Sequence, residues 1–243
     1  MKAIVLSTVC VGLAACGVTD SELVNEASQG LVFHNDIFYD NFNALNLGSI
    51  NGQNGWVGNC VVAPGEATNA TRGDKNLECT GTPGLPNGQG ALHAFERLPN
   101  RNYHVQFDVW TRGVVDGTHG KLFLENPPGD GTNTILQFAI GCNNIRATFE
   151  YHANTTRTLL SFPCSNGPHY RVACIWHDGG TEFRCGAAVY PNDPVEANFI
   201  SIPALNEYGV PETIGPFDRI RVLGGIGERV GTTTFDKVQV LAD

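Results

Sequence analysis

The sequence predicts an all-β protein, an antiparallel β-sandwich, on three observations. Its 243 residues include 29 glycines and 13 prolines but one methionine, a composition typical of many turns and few long helices. About ten short runs rich in β-branched and aromatic residues are separated by Gly, Pro, Asn and Asp. Two of these runs alternate apolar with polar residues, which is the period of a half-buried strand.

No long low-complexity linker divides residues 36–243, and the predicted strands follow one another from residue 92. They are 92–97, 103–111, 121–125, 134–141, 145–151, 158–162, 170–177, 181–189, 217–223 and 233–241. We therefore interpret residues 36–243 as one β-sandwich domain.

The charge of the chain excludes some functions. Hydrophobic residues make up 42% and charged residues 16%, which argues against a disordered chain. The formal net charge is −9. Because nucleic-acid binding needs basic residues to neutralise phosphates, we expect no nucleic-acid partner.

The first residues predict export. Lys2 precedes a short apolar stretch, residues 3–13, which at roughly 11 residues is too short to span a bilayer and is typical of a secretion signal. The following Leu13-Ala14-Ala15-Cys16-Gly17 resembles the lipobox of bacterial lipoproteins. The resemblance implies that residues 1–15 are removed and that Cys16 carries the lipid.

A lipidated Cys16 implies a membrane anchor of two acyl chains, which suffices for stable attachment. Residues 16–35 are mixed and polar, and we interpret them as a tether. Gly17 is not the aspartate that retains many such lipoproteins in the inner membrane. The expected location is therefore the bacterial cell envelope, at the outer membrane.

Six of the eight cysteines remain if Cys10 leaves with the signal and Cys16 is lipidated. Export makes disulfides the default interpretation of this even number. With Gly179-Gly180 as a two-residue hairpin loop, Cys174 lies opposite Cys185, within disulfide distance. Zinc binding is the alternative, but the sequence has no Cys-x-x-Cys spacing that would favour it.

Two more pairs follow from the same cysteines. The strand-like runs 145–151 and 157–162 place Cys142 and Cys164 at the open ends of a second hairpin. Cys60 then pairs with Cys79 by elimination.

Five segments carry a family resemblance. Residues 40–42, Asp-Asn-Phe, and 47–56, Leu-Gly-Ser-Ile-Asn-Gly-Gln-Asn-Gly-Trp, resemble the opening of bacterial concanavalin A-like (laminin G-like) jelly rolls. The runs 169–180, 217–222 and 234–240 resemble later strands of the same superfamily, although Cys185-Gly186 stands where Asp-Gly is usual. The resemblance implies a jelly roll with a concave sheet that often holds sugars.

Two strands have polar faces that suit a carbohydrate ligand if both line one concave surface. In residues 103–110 every second residue is apolar, and the opposite face carries polar residues and Trp110. Residues 145–152 show the same alternation of apolar and polar residues. The candidate ligand-binding residues are His104, Gln106, Asp108, Trp110, Arg146, Glu150 and His152. An ordinary solvated sheet face is the alternative, but an exposed indole at Trp110 favours binding.

No catalytic pair accompanies these residues. The Glu-x-Asp-x-(x)-Glu strand of the superfamily's glycosidases is absent, and so are the Arg-x-Glu-x-Arg and Gln-Ile-His strands of alginate lyases. We therefore predict non-catalytic binding of a glycan or another surface ligand. The alternatives are a polysaccharide lyase acting by β-elimination and a structural or adhesion module with a protein partner.

The resemblance implies one further group, a structural Ca²⁺ where the first and last strands meet. Asp40 and Asp236 occupy the matching motif positions. Either aspartate could instead cap a turn or pair with Arg219. We expect no other cofactor.

Overall fold

Two antiparallel sheets pack face to face in the structure, a computed structural model. It describes residues 35–65, 75–81, 88–112, 118–126, 135–150, 155–162, 169–206, 208–214, 217–224 and 231–243. All of them belong to one unit of the chain, Leu31–Asp243. Among them, no helix has the length and apolar character needed to cross a membrane.

The larger sheet has nine strands within the described residues. Eight lie side by side as β14 (Ile200–Pro203), β13 (Glu182–Val189), β12 (Tyr170–His177), β7 (Asn102–Arg112), β16 (Thr232–Ala242), β5 (Lys75–Thr80), β4 (Val61–Pro64) and β2 (Gly48–Ser49). The ninth, β1 (Asn35–Asp40), pairs with the second half of β16, whereas β5 pairs with the first half.

The smaller sheet has seven strands in the same part of the chain. Their order is β11 (Thr155–Ser161), β10 (Asn144–Glu150), β9 (Ile135–Gly141), β8 (Thr118–Glu125), β15 (Arg219–Gly224), β6 (Gly90–Ala94) and β3 (Val57–Gly58). Every pairing in both sheets is antiparallel. The predicted antiparallel β-sandwich is therefore confirmed.

All ten predicted strands are present, with ends that differ by a few residues. The sequence analysis did not predict the six strands β1, β2, β3, β4, β5 and β14. β2 and β3 are only two residues long, and β4 and β14 only four, so they carry too few residues for a period to show. These short strands lie toward the sheet edges and complete the order of both sheets.

The hairpin of β12 and β13 has the predicted register. Cys174 lies opposite Cys185 and Trp176 opposite Phe183. The loop turns at Gly179, whose φ of +84° is a conformation that glycine adopts at little cost. The predicted disulfides Cys174–Cys185 and Cys60–Cys79 both form, with Cα atoms 4.1 and 4.7 Å apart.

The third predicted disulfide is described at one end only. Cys142 is disulfide-bonded, whereas Cys164 lies outside the described residues. Cys142 directly follows β9 and precedes β10, which pairs with β11 as the predicted second hairpin requires.

The core fills the space between the two sheets. Tyr103, Val105, Phe107 and Val109 point inward from β7, and Ile145, Ala147 and Phe149 point inward from β10, all at most 2% exposed. The alternation predicted for both strands is therefore confirmed. Because β7 and β10 belong to different sheets, their outward faces lie on opposite sides of the sandwich.

Candidate functional site

The outward face of the smaller sheet brings polar side chains from several neighbouring strands into rows. One row crosses five strands from β11 to β15, through Thr156, Thr148, Gln137, Phe123 and Arg221. With strands roughly 4.8 Å apart, this row is about 19 Å long. A surface of this length suits an extended ligand better than a small molecule.

A second row runs parallel to the first. It contains Thr158, Arg146, Ala139, Lys121 and Leu223 on the same five strands. Since side chains two residues apart on a strand share a face, the two rows form one continuous surface.

Contacts between the rows hold these side chains in place. The Lys121 ammonium group donates a hydrogen bond to Gln137 Oε1 over 2.6 Å and lies 5.6 Å from the centre of the Phe123 ring. The Arg221 guanidinium covers the same ring at 4.1 Å and binds the Glu125 carboxylate. The surface is therefore ordered before any ligand arrives, which lowers the entropic cost of binding.

The burial of this surface is unusual for a face turned away from the core. Phe123, Gln137, Ala139 and Thr148 are 5%, 7%, 4% and 9% exposed, although their neighbours along each strand are the residues that fill the core. An amide and a hydroxyl thus lie within a sheltered face, and Thr148 shares a 3.0 Å hydrogen bond with Thr156. Amide and hydroxyl groups are donors and acceptors of the kind that pair with a hydroxyl-rich ligand.

Of the seven predicted ligand-binding residues, the structure assigns Arg146 to this face. Glu150 ends β10, but its side chain and all of His152 lie outside what the structure describes. The condition for one shared site, that the polar faces of β7 and β10 line one surface, is not met, because the two strands belong to different sheets.

The outward face of the larger sheet holds the other four predicted residues, and two of them serve the fold. Asp108 is 2% exposed and receives two 2.7 Å hydrogen bonds from the Arg171 guanidinium. Arg171 also donates to Asp193 over 2.5 Å and lies 5.3 Å from the Tyr190 ring centre. Asp108 therefore anchors the segment that follows β13 rather than facing solvent.

Trp110 is 3% exposed, so the expectation of an exposed indole is wrong. Its ring stacks on His169, with ring centres 3.8 Å apart and planes 19° apart. His169 immediately precedes β12, the strand next to β7. A residue outside the paired strands covers the indole, and strand alternation does not reveal that.

Gln106 and His104 are the half-buried members of the β7 outward face. Burial lowers the pKa of His104 to about 4, and the nearby Asp193 carboxylate opposes this shift only in part. A neutral imidazole is therefore the form present at neutral pH.

Asp40 joins the end of β1 to the loop that follows. Its carboxylate is 6% exposed and accepts hydrogen bonds from Phe42 N, Trp56 Nε1 and Asn54 Nδ2 at 2.7, 2.9 and 3.1 Å. Asp236 lies in the irregular part of β16, two residues before Val238, the partner of Asp40. Nowhere in the described chain do three or more His, Cys, Asp or Glu side chains gather to hold a metal ion.

A small depression lies at another part of the larger sheet. It has a volume of about 190 Å³ and is lined by Asn102, Ile175, His177, Glu182 and Arg184, among others. Sites for small organic ligands usually measure about 300–1,000 Å³. The depression is therefore too small to be the main candidate.

Sequence reasoning missed Lys121, Phe123, Gln137 and Arg221, although it predicted the strands that carry them. The runs 121–125, 135–139 and 219–223 each alternate core residues with these side chains. That alternation was a usable signal. What it lacked was the order of the strands, which brings the four residues together.

Three solved structures are similar to this chain over most of their length. A carbohydrate esterase of the Shiga toxin-encoding bacteriophage phi24B has a TM-score of 0.54 at 10% identity and covers 86% of this chain and 99% of its own. Peanut lectin has a TM-score of 0.52 at 10% identity, with 85% and 96% covered. An uncharacterized protein of Mycobacterium paratuberculosis has a TM-score of 0.51 at 13% identity, with 84% and 99% covered.

At these identities the likeness shows the fold, and the chain is a β-sandwich of the jelly-roll type that lectins share. Neither a known protein family nor a curated protein matches the sequence. The predicted lipidation residue Cys16 and residues 16–34 of the predicted tether lie outside the described residues, whereas Asn35 begins β1.

Proposed function

We propose that this protein binds carbohydrate without cleaving it, through the outward face of the smaller sheet. The observation that carries the proposal is one row of this face, in which Gln137 and Thr148 are polar but largely buried. Next to Gln137 in that row, the Phe123 ring lies against the cationic groups of Lys121 and Arg221. The occurrence of the same fold in peanut lectin and in a phage carbohydrate esterase supports it. By its lipobox-like sequence, the protein would be exported and held at the outer membrane by lipid on Cys16.

Glu125 supports binding rather than cleavage. Its carboxylate is bound by the Arg221 guanidinium, so it is engaged within the protein rather than directed at a ligand. The retaining glycosidases need two carboxyl groups about 5–5.5 Å apart. No such pair is among the side chains described on this face.

A glycan array tests the proposal with two matched variants. We expect Gln137→Ala to weaken glycan binding about tenfold, because an amide within the face would no longer bond the ligand. Gln106→Ala removes the same group from the larger sheet and should leave binding unchanged. Thermal unfolding of both variants checks that each one folds.

Other outcomes would overturn the proposal. Loss of binding in Gln106→Ala alone would move the ligand to the larger sheet. Polysaccharide cleavage with unsaturated uronate ends would make the protein a lyase. A complete lack of binding and cleavage would favour an adhesion module with a protein partner.

A further inference from the structure

The small depression on the larger sheet lies beside the turn between β12 and β13, and its lining combines an apolar surface with charge. Ile175 lines it from β12, and the residue directly opposite on β13 is Arg184. Gly180 borders it at the turn and adds no side chain. Ile175 is half-buried and stands between two core residues of its own strand. It therefore gives the depression an apolar surface on which a ligand can pack.

Two side chains of opposite charge border the same depression from β13. Glu182 and Arg184 are two residues apart on this strand, so they share one face with Cα atoms about 7 Å apart. The Ser201 hydroxyl donates a 2.6 Å hydrogen bond to Glu182 Oε2. Arg184 donates to the Oε1 and the backbone oxygen of Glu196, both over 3.3 Å. Because each charge is held by a different partner, the two charges stay apart.

Both charged groups keep capacity for a ligand beside these partners. A guanidinium group has five N–H donors, and the two hydrogen bonds to Glu196 use two of them. An ionised carboxylate accepts through two oxygens, and the bond from Ser201 uses one. The Arg184 side chain is 40% exposed and Glu182 is exposed, so a ligand reaches both from solvent.

A small zwitterion with an apolar group matches this arrangement. A guanidinium group binds a carboxylate through two parallel N–H donors, and a carboxylate accepts hydrogen bonds from an ammonium group. A free amino acid carries both of these ligand groups on one carbon atom. The volume of about 190 Å³ is below the 300–1,000 Å³ that is usual for organic ligands, which limits the ligand to about this size.

We propose that the depression binds a free amino acid with an apolar side chain. The carboxylate of the amino acid lies against Arg184, its ammonium group against Glu182, and its side chain on Ile175. This site lies on the opposite face of the sandwich from the proposed carbohydrate-binding surface. It therefore goes beyond the proposed function and does not depend on it.

Equilibrium dialysis of the full-length protein with L-leucine tests the proposal, with three analogues as competitors. Leucinamide lacks the carboxylate, N-acetylleucine lacks the ammonium group, and glycine lacks the apolar side chain. We expect each analogue to bind about tenfold more weakly than L-leucine, because each loses one of the three contacts.

Two variants and one matched control assign the contacts. Arg184→Gln should weaken L-leucine binding about tenfold and leave leucinamide binding unchanged, since leucinamide has no carboxylate for the guanidinium. Glu182→Gln should weaken L-leucine likewise and leave N-acetylleucine unchanged. Arg157→Gln removes a positive charge at an exposed position on β11 of the smaller sheet and should not alter binding. Thermal unfolding checks that each variant folds.

Several outcomes would overturn the proposal. No binding of L-leucine, or equal binding of L-leucine and its three analogues, would contradict the site. So would L-leucine binding that survives both Arg184→Gln and Glu182→Gln, or that weakens equally in Arg157→Gln. If a variant fails to fold, the analogue series on the unmodified protein still decides. Glycan binding is measured separately, so its loss or presence leaves this result unchanged.

Discussion

The carboxylate of Asp40 holds together the segment that carries the jelly-roll resemblance. Trp56 is fully buried, and its ring lies 5.9 Å from Phe38 and 5.3 Å from His93, so the loop closes onto the core. Gly55 has a φ of +80°, and a Cβ there would lie 2.9 Å from His93 Nε2. The motif residues thus have a structural role, which explains why they indicate the fold better than the function.

We expect Asp40→Ala to lower the free energy of unfolding by about 2–4 kcal/mol, because the buried N–H groups of Phe42 and Trp56 lose a charged acceptor. Asp36→Ala, which removes an exposed carboxylate from the same strand, should cost less than about 0.5 kcal/mol. Urea unfolding measures both.

The Ca²⁺ site at Asp40 and Asp236 remains a prediction, and urea unfolding with and without EDTA tests it. If EDTA lowers the stability of the unmodified protein, Asp40 and Asp236 would act as metal ligands as well. If EDTA has no effect while Asp40→Ala unfolds more easily, the hydrogen bonds account for the role of Asp40.

The segment after β13 is fastened across the outward face of the larger sheet. Arg171 joins Asp108 of β7 to Asp193, and Phe199 packs so closely over Gly186 that a Cβ there would lie 2.7 Å from its ring. Arg184 adds a 3.3 Å ion pair with Glu196. This element covers part of the surface that the sequence analysis assigned to ligand binding.

Arg171→Ala should destabilise the protein by about 3–5 kcal/mol, because Asp108 would keep a buried charge with no partner. Arg184→Ala breaks a more exposed ion pair and should cost less than about 1 kcal/mol. Urea unfolding measures the cost, and hydrogen exchange of residues 190–199 shows whether the segment detaches. Similar losses for both variants would contradict the assigned role of Arg171.

The whole molecule should lose stability in mild acid. Burial lowers the pKa of His93 and lowers that of His104 to about 4, from the ordinary value of 6.5. Below pH 6.5 the unfolded chain therefore binds protons that the folded protein does not, and the free energy of unfolding falls as pH decreases toward 4.

One substitution isolates the contribution of His104 to this acid sensitivity. His104→Gln should reduce the slope of unfolding free energy against pH between pH 6.5 and 5 by up to about 1.4 kcal/mol per pH unit. His177→Gln, at an exposed position on β12, is the matched control. A slope unchanged by His104→Gln would show that other groups cause the loss.

Much of the fold could be predicted from the sequence because its signals are local. The period of two gave the inward residues of β7 and β10, and the Gly179-Gly180 turn gave the register that brings Cys174 opposite Cys185. Each of these signals depends on neighbours within about ten residues along the chain.

The candidate site could be predicted only in part, because it depends on pairings between distant residues. Alternation separates the inward from the outward face of a strand, but it does not say which sheet the strand joins. Arg146 and Trp110 were therefore grouped together, although they lie on different sheets. Phe123 pairs with Arg221, 98 positions away, and no local pattern specifies that contact.

By itself the sequence determined the fold class, the main strands, the core-facing residues and two observed disulfides. Only the tertiary structure decided that His169 stacks on Trp110 and that Arg171 forms an ion pair with Asp108. It also decided which side chains share the outward face of the smaller sheet, namely Lys121, Gln137, Arg146 and Arg221. The physical reason is that a strand's period follows from its own backbone, whereas its neighbours are selected by packing over the whole chain.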